Sequence, residues 1–235
     1  MKHQNLTRTL AICVGVLLCL ANASAQWEKK PYTEWSEKET EKFLNQSPWC
    51  QTQTISDLSD MFATIRNRFQ LTTGIADVTH VNLRIRLLSA KPVRQAISRS
   101  MELSQKGKLS SQMAEQLKGF AAADFPDYVI VTLTSDSPNP SPLFQAVNSI
   151  FYQIITAELR NGTYLLVKGG QRVFLQEYQP PRKDGLGARF IFPRLVDGKP
   201  YITPDGGEVW FRSEPLGLSM RYKIKDMILD GKLEY

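Results

Sequence analysis

Between Leu218 and Lys225 the chain alternates strictly. Leu218, Met220, Tyr222 and Ile224 are apolar, while Ser219, Arg221, Lys223 and Lys225 between them are polar or cationic. A period of two puts the first set on one face of a strand and the second on the other, so the segment needs a core on one side and water on the other. Antiparallel sheets meet that requirement. The segment belongs to a longer stretch, 163–235, with further strand patterns at 164–168, 172–178, 188–192, 208–212 and near 232–235. Gly169-Gly170, Asp197-Gly198, Asp205-Gly206 and Asp230-Gly231 stand between these runs, and such pairs tolerate the positive φ of tight turns.

The preceding residues are mixed. Ser36 followed by Glu39 matches a capping box, which predicts a helix to about Asn45 before Pro48. Its apolar residues Trp35, Phe43 and Leu44 flank a polar middle, so docking by its two ends is expected, with Trp49 as a further anchor. Residues 51–54 read as a weak strand, and 57–70 as either helix or loop. At 81–88, Val81, Leu83, Ile85 and Leu87 alternate with Asn82, Arg84 and Arg86, which predicts a strand with a basic outer face. Pro92 opens a helix to about Gln105 with Val93, Ile97, Met101 and the Arg94 methylenes at helical spacing. A second helix is expected over 110–122, a strand over 128–134 and a proline-rich loop over 135–142. The strongest helix pattern is 143–159, with Leu143, Phe144, Val147, Ile150, Phe151, Ile154 and Ile155 on one broad face. These elements imply an α+β fold, with an N-terminal helical and mixed half packed on a C-terminal antiparallel sheet. A sandwich is one form that sheet could take, and the alternative to a single domain is a division near 162.

Residues 1–25 form a separate expectation. Lys2 and Arg8 precede the apolar run 10–20, and Ala23-Ser24-Ala25 matches a signal-peptidase site. Cleavage after Ala25 and export are expected, leaving 26–235 as a single α+β domain; the run is too short for the roughly 20 residues of a membrane-spanning helix. Cys13 and Cys19 would leave with the leader, so Cys50 would have no intrachain partner and is expected as a buried inert thiol. Losing two cations reduces the formal charge to 27 − 23 = +4. Residues 81–119 hold eight basic and two acidic residues (+6), which concentrates positive charge there.

No catalytic signature stands out. His80 is the one histidine after the leader, which excludes a two-histidine metal site within the exported chain. It has no motif linking it to Cys50 or to an activated serine. Asp124 with Asp127 and Asp205 with Glu208 are candidate carboxylate pairs, but neither sits in a calcium-loop pattern. The glycine pairs lack the lysine and strand-to-helix setting of a phosphate loop. No cofactor is implied. The exposed-looking loop 180–185 reads as a hairpin connection of the kind that often carries recognition. Arg84, Arg86, Lys91 and Arg94 are expected to form one cationic patch for an anionic partner, such as a polyanionic surface or a cell-envelope protein. A charge of +4 on an exported chain does not indicate nucleic acid.

Three strings carry a resemblance: Lys30-Pro31-Tyr32-Thr33-Glu34-Trp35-Ser36-Glu37-Lys38-Glu39 with Phe43-Leu44-Asn45-Gln46-Ser47-Pro48-Trp49, then residues 86–96, then the ending 225–235. The chain resembles a family of exported, uncharacterised bacterial proteins near the GWxTD-domain group, although the G-W-x-T-D string itself does not occur in it. The resemblance implies export and a bacterial source, and brings no catalytic residues with it. The sequence thus leads to an exported, non-enzymatic binding or assembly module. The alternative is a carboxylate-dependent hydrolase acting outside the cytoplasm.

Overall fold

A computed structural model describes residues 30–56, 80–138 and 141–235. The leader at 1–25 and the helix-or-loop segment 57–70 lie outside the described residues. The chain divides into two compact units, 1–35 and 36–235. In the first, Pro31 is extended, a 3₁₀ turn spans Tyr32–Glu34, and the Trp35 indole N–H donates to the Lys30 carbonyl at 3.0 Å.

The second unit is α+β with antiparallel sheets. A five-stranded sheet has the order β1 (Cys50–Ile55), β2 (Val81–Leu87), β3 (Tyr128–Asp136), β7 (Ala188–Pro193), β6 (Glu177–Gln179). A four-stranded sheet has the order β11 (Leu218–Lys223), β10 (Glu208–Ser213), β4 (Thr163–Val167), β5 (Arg172–Phe174). Two small hairpins, β8 (Leu195–Val196) with β9 (Lys199–Pro200) and β12 (Ile228–Leu229) with β13 (Lys232–Leu233), turn on Asp197-Gly198 and Asp230-Gly231. Both residues of each pair have positive φ, as a type I′ turn demands.

The run 172–178 is two strands rather than one. It changes sheets at Leu175 and Gln176, whose N–H groups donate to Thr163 O at 2.9 Å and Ile191 O at 2.9 Å, one in each sheet. Strands from both sides of residue 162 therefore share the larger sheet. The sheets meet through aromatic edges, with Phe211 of β10 against Phe190 and Phe192 of β7 at centroid distances of 5.2 and 6.1 Å. Such pairs favour edge-to-face geometry because the ring edge is positive and the face negative.

Helix α1 (Glu37–Gln46) begins with the full capping box, each of Ser36 and Glu39 bonding the other's backbone N–H. The expected anchors Trp35, Phe43 and Trp49 are all buried, and Phe43 stacks on Trp49 at 5.8 Å; Thr40 in the middle of the helix is buried as well, so contact is not confined to the ends. Helix α2 (Lys91–Ser104) starts with Pro in its first turn and packs on α3 (Ser111–Ala122), which Ser110 caps. Buried Ser98 joins them by donating to Leu117 O at 2.9 Å.

The predicted helix 143–159 is broken into α4 (Pro142–Gln153) and α5 (Thr156–Leu159). Ile154 and Ile155 between them are extended. Their β-branched side chains lose χ1 freedom in a helix, and Thr156 takes other backbone partners, with its hydroxyl accepting from Tyr178 N at 3.0 Å. The break buries Ile154 but leaves Ile155 about half exposed, so the broad face does not continue through both residues.

The end of the chain fastens this unit. Glu234 accepts at Oε2 from Lys91 N at the start of α2 (3.1 Å), its carbonyl accepts from the Trp49 indole at 2.7 Å, and the Arg194 guanidinium lies 4.0 Å from the Tyr235 ring centroid. A carboxylate at a helix N-terminus satisfies a backbone N–H and opposes the positive end of the dipole. Glu234→Ala is therefore expected to lower stability by about 1 kcal/mol. Urea unfolding of the two proteins measures this, and an unchanged midpoint would remove Glu234 as a cap.

Candidate functional site

The larger sheet has two unlike faces. Val81, Leu83, Ile85 and Leu87 of β2 share one face with Val129, Val131 and Leu133 of β3 and with Phe190 and Phe192 of β7, all almost wholly buried. On this side Ser135 donates to Asn148 of α4 at 2.7 Å.

The opposite face is polar, because directly paired residues point the same way. Its cross-strand rows are Thr54, Asn82 and Asp136; then Thr52, Arg84 and Thr134; then Cys50, Arg86, Thr132 and Arg189. Hydrogen bonds link the rows. Thr54 Oγ1 donates to Asn82 Oδ1 at 2.8 Å, Asn82 Nδ2 donates to Asp136 Oδ1 at 3.0 Å, and Arg84 Nε pairs with Asp136 Oδ2. The arginines expected on an open basic face are instead partly covered. Arg86 donates to Leu44 O and Thr134 Oγ1, each at 2.9 Å, and to Asn45 Oδ1 at 3.5 Å. Burial pushes the Arg86 pKa down from the ordinary arginine value, yet that value lies so far above neutrality that the group remains a cation.

Between this face and the two covering helices lies a pocket of about 310 Å³. Its floor is Arg84, Arg86 and Asp136. Helix α1 contributes Glu37, Thr40, Glu41, Leu44 and Asn45, and the last turns of α2 contribute Ser100, Leu103 and Ser104. Glu37 and Glu41 stand one turn apart on one side of α1. Their side chains make no hydrogen bond or ion pair among the described residues. The pocket thus holds two cations and three carboxylates, a formal balance of 2 − 3 = −1, with only Arg84 and Asp136 paired directly.

The four expected cations do not form one patch. Arg84 and Arg86 line the pocket; Lys91 is exposed at the start of α2 and does not line it. Arg94 is 2% exposed and points inward, donating to Leu88 O at 3.1 Å and to Ser89 O and Ala123 O, with its guanidinium 5.1 Å from the Phe125 ring centroid. Three backbone carbonyls draw its charge into the interior. It is a structural clamp rather than a surface cation.

The remaining candidates are held locally. His80 is exposed, with its carbonyl accepting from Ser137 Oγ at 3.0 Å. Asp124 accepts from the next backbone N–H at 3.0 Å. Glu208 pairs with Arg221, whose hydrogen bond holds its carboxyl below the usual range, and Thr203 does the same for Asp205. Asp184 in the loop 180–185 accepts from Leu186 N at 3.0 Å and pairs with Arg189. Cys50 is buried, which pushes its thiol up to about 11 and keeps it protonated at neutral pH. Among the described residues no cluster of three His, Cys, Asp or Glu residues is placed to hold a metal ion.

Sequence reading missed Glu37, Glu41 and Asp136 as lining residues. The spacing of Glu37 and Glu41 was a usable signal for a shared helix side, whereas Asp136 was hidden by the expectation of a loop from 135. Comparison with protein-family models, curated proteins and solved structures yields no match.

Proposed function

We propose that this chain is an exported, non-enzymatic binding module and that its ligand occupies the pocket between α1, α2 and the polar sheet face. The observation that carries this reading is the pocket itself. About 310 Å³ lies at the small end of the range for small-molecule sites, and its walls bring charges of both signs together. The charged groups sit on regular elements that hold them in place, Glu37 and Glu41 on a helix and Arg84 and Arg86 on a central strand. Arg84 holds Asp136 in an ion pair, which suits recognition better than proton transfer. Export rests on the sequence pattern of residues 1–25 and on the family resemblance. Among the described residues no helix is long and apolar enough to cross a membrane.

The test is a thermal-shift screen of the chain against small polar compounds extracted from a bacterial cell envelope, run beside Ser100→Trp. Ser100 is an exposed lining residue of α2, so an indole there fills the pocket without entering the core. A ligand at 100 times its Kd adds about 2.7 kcal/mol, which raises the Tm of a domain this size by roughly 5–10 °C. The expected result is such a rise for the native chain and none for Ser100→Trp. Equal shifts for both, or no shift with any fraction, would overturn the assignment of the pocket. Export is checked separately by the mature N-terminus, expected at Gln26.

A further inference from the structure

We infer that the pocket takes a dipolar ligand of the amino-acid class, with a carboxylate on the arginine floor and ammonium groups at the Glu37 and Glu41 wall. The inference rests on the reading of this pocket as the binding site and adds the chemistry of its occupant. Arg84 and Arg86 are two residues apart on β2 and project from the same face, about 7 Å from each other. A guanidinium has five N–H donors. Arg86 uses three, all on neutral acceptors, so it retains two donors and a charge with no directly bonded carboxylate. Arg84 bonds Asp136 and, at 3.4 Å, Thr52 Oγ1, which leaves three donors.

The wall has the opposite character. Glu37 and Glu41 are unpaired acceptors, and the last turn of α2, with Ser104, brings the negative end of a helix dipole to the same pocket. A polyanion would have to pass two free carboxylates to reach a single guanidinium with no directly bonded carboxylate, and that guanidinium already lies in the field of Asp136. A simple diamine would satisfy the wall and leave Arg86 without its anion. A ligand with one carboxylate and two ammonium groups carries +1 and complements the pocket's −1, while Leu44 and Leu103 give its methylenes an apolar surface. The volume admits a single amino acid or a dipeptide and excludes a polymer within the pocket.

The probe is L-lysine, titrated into the full chain by calorimetry and followed by backbone NMR. 1,5-Diaminopentane lacks the carboxylate, and Nα,Nε-diacetyl-L-lysine lacks both ammonium groups. The expected result is millimolar or tighter binding of lysine that shifts signals on α1 and β2, with at least tenfold weaker binding of either control. Glu37→Gln combined with Glu41→Gln changes only exposed side chains and is expected to weaken lysine at least tenfold, while the loss of the Glu37 charge from the first turn of α1 lowers the folding constant measured in urea by no more than about fivefold and leaves the protein folded. Lysine binding that survives this double substitution, or equal binding of the diamine, would overturn the inference. So would no binding of lysine; if a component of the envelope extract still gives a shift abolished by Ser100→Trp, the ligand class alone is wrong and the pocket stands.

Discussion

Arg94→Met is expected to destabilise the protein by about 3 kcal/mol, which lowers the Tm by roughly 6–12 °C for a domain of this size. Methionine keeps most of the aliphatic stem, so packing along α2 is largely retained and the loss falls on the polar head. Two effects oppose each other. Removing a buried guanidinium relieves its desolvation, a cost visible in the downward push that burial gives the Arg94 pKa. Against that, the Leu88, Ser89 and Ala123 carbonyls lose a charged donor. A buried acceptor left without a partner costs about 1–3 kcal/mol. The Leu88 and Ser89 carbonyls belong to the buried β2–α2 turn, whereas half-buried Ala123 at the end of α3 is nearer to water, so the two turn carbonyls carry most of the loss and the second effect wins. Arg94→Lys keeps the charge but has no planar fork to bridge two segments, and an intermediate loss is expected. Urea unfolding gives both values. A loss below 1 kcal/mol for Arg94→Met would mean that the clamp does not hold these segments together.

Arg94 also marks where sequence reading stops. Its position beside Val93, Ile97 and Met101 predicted that its methylenes would follow an apolar stripe, and a long cation on such a stripe ordinarily carries its head to solvent. The helix is rotated from that stripe: Val93, Ala96 and Ser98 are buried with Arg94, while Ile97 and Met101 are only half-buried. The direction of Arg94 depends on carbonyls from residue 123, almost thirty positions away, and no local period encodes that. Strands with one buried face, by contrast, were legible residue by residue. β2 follows its alternation throughout and β11 as far as Lys223, beyond which Ile224–Met227 form a 3₁₀ turn; a slip of one residue in either strand would turn every apolar side chain outward.

Pairing was less legible than strand identity. The run 172–178 alternates well enough to read as one strand, but partners in two different sheets divide it at Leu175 and Gln176. The pocket was legible in halves. Arg84 and Arg86 were read as one strand face, whereas the one-turn spacing that puts Glu37 and Glu41 on one side of a helix was present but unread. Their meeting is tertiary, fixed by the packing of α1 on β1 and on α2. Nothing in the spacing of either pair announces the other.

The other large effect is expected at Gly187, just before β7. Its φ is +80°, and a Cβ built there would lie 2.2 Å from Leu133 O, 2.6 Å from Thr134 Cγ2 and 2.9 Å from the Leu133 carbonyl carbon. Two of those three atoms are backbone of β3, which cannot rotate aside. Leu133 is paired directly with Ala188, so relief of the clash requires β7 to move away from β3 at the first rung of their ladder. That movement would also displace Arg189 on the polar face and Phe190 in the core. Gly187→Ala is therefore expected to cost at least 4 kcal/mol, of which only about 1–2 kcal/mol is left-handed backbone strain in a non-glycine residue. Gly198→Ala separates the two contributions, because Gly198 has a similar φ of +74° with no atom within 4 Å of its added Cβ. That variant should lose about 1–2 kcal/mol and keep the native fold. The comparison is made by urea unfolding and by the near-ultraviolet circular dichroism of the buried aromatic cluster. If the two substitutions cost the same, the close approach of Gly187 to Leu133 does not hold β7 against β3, and the glycine there serves its backbone conformation alone.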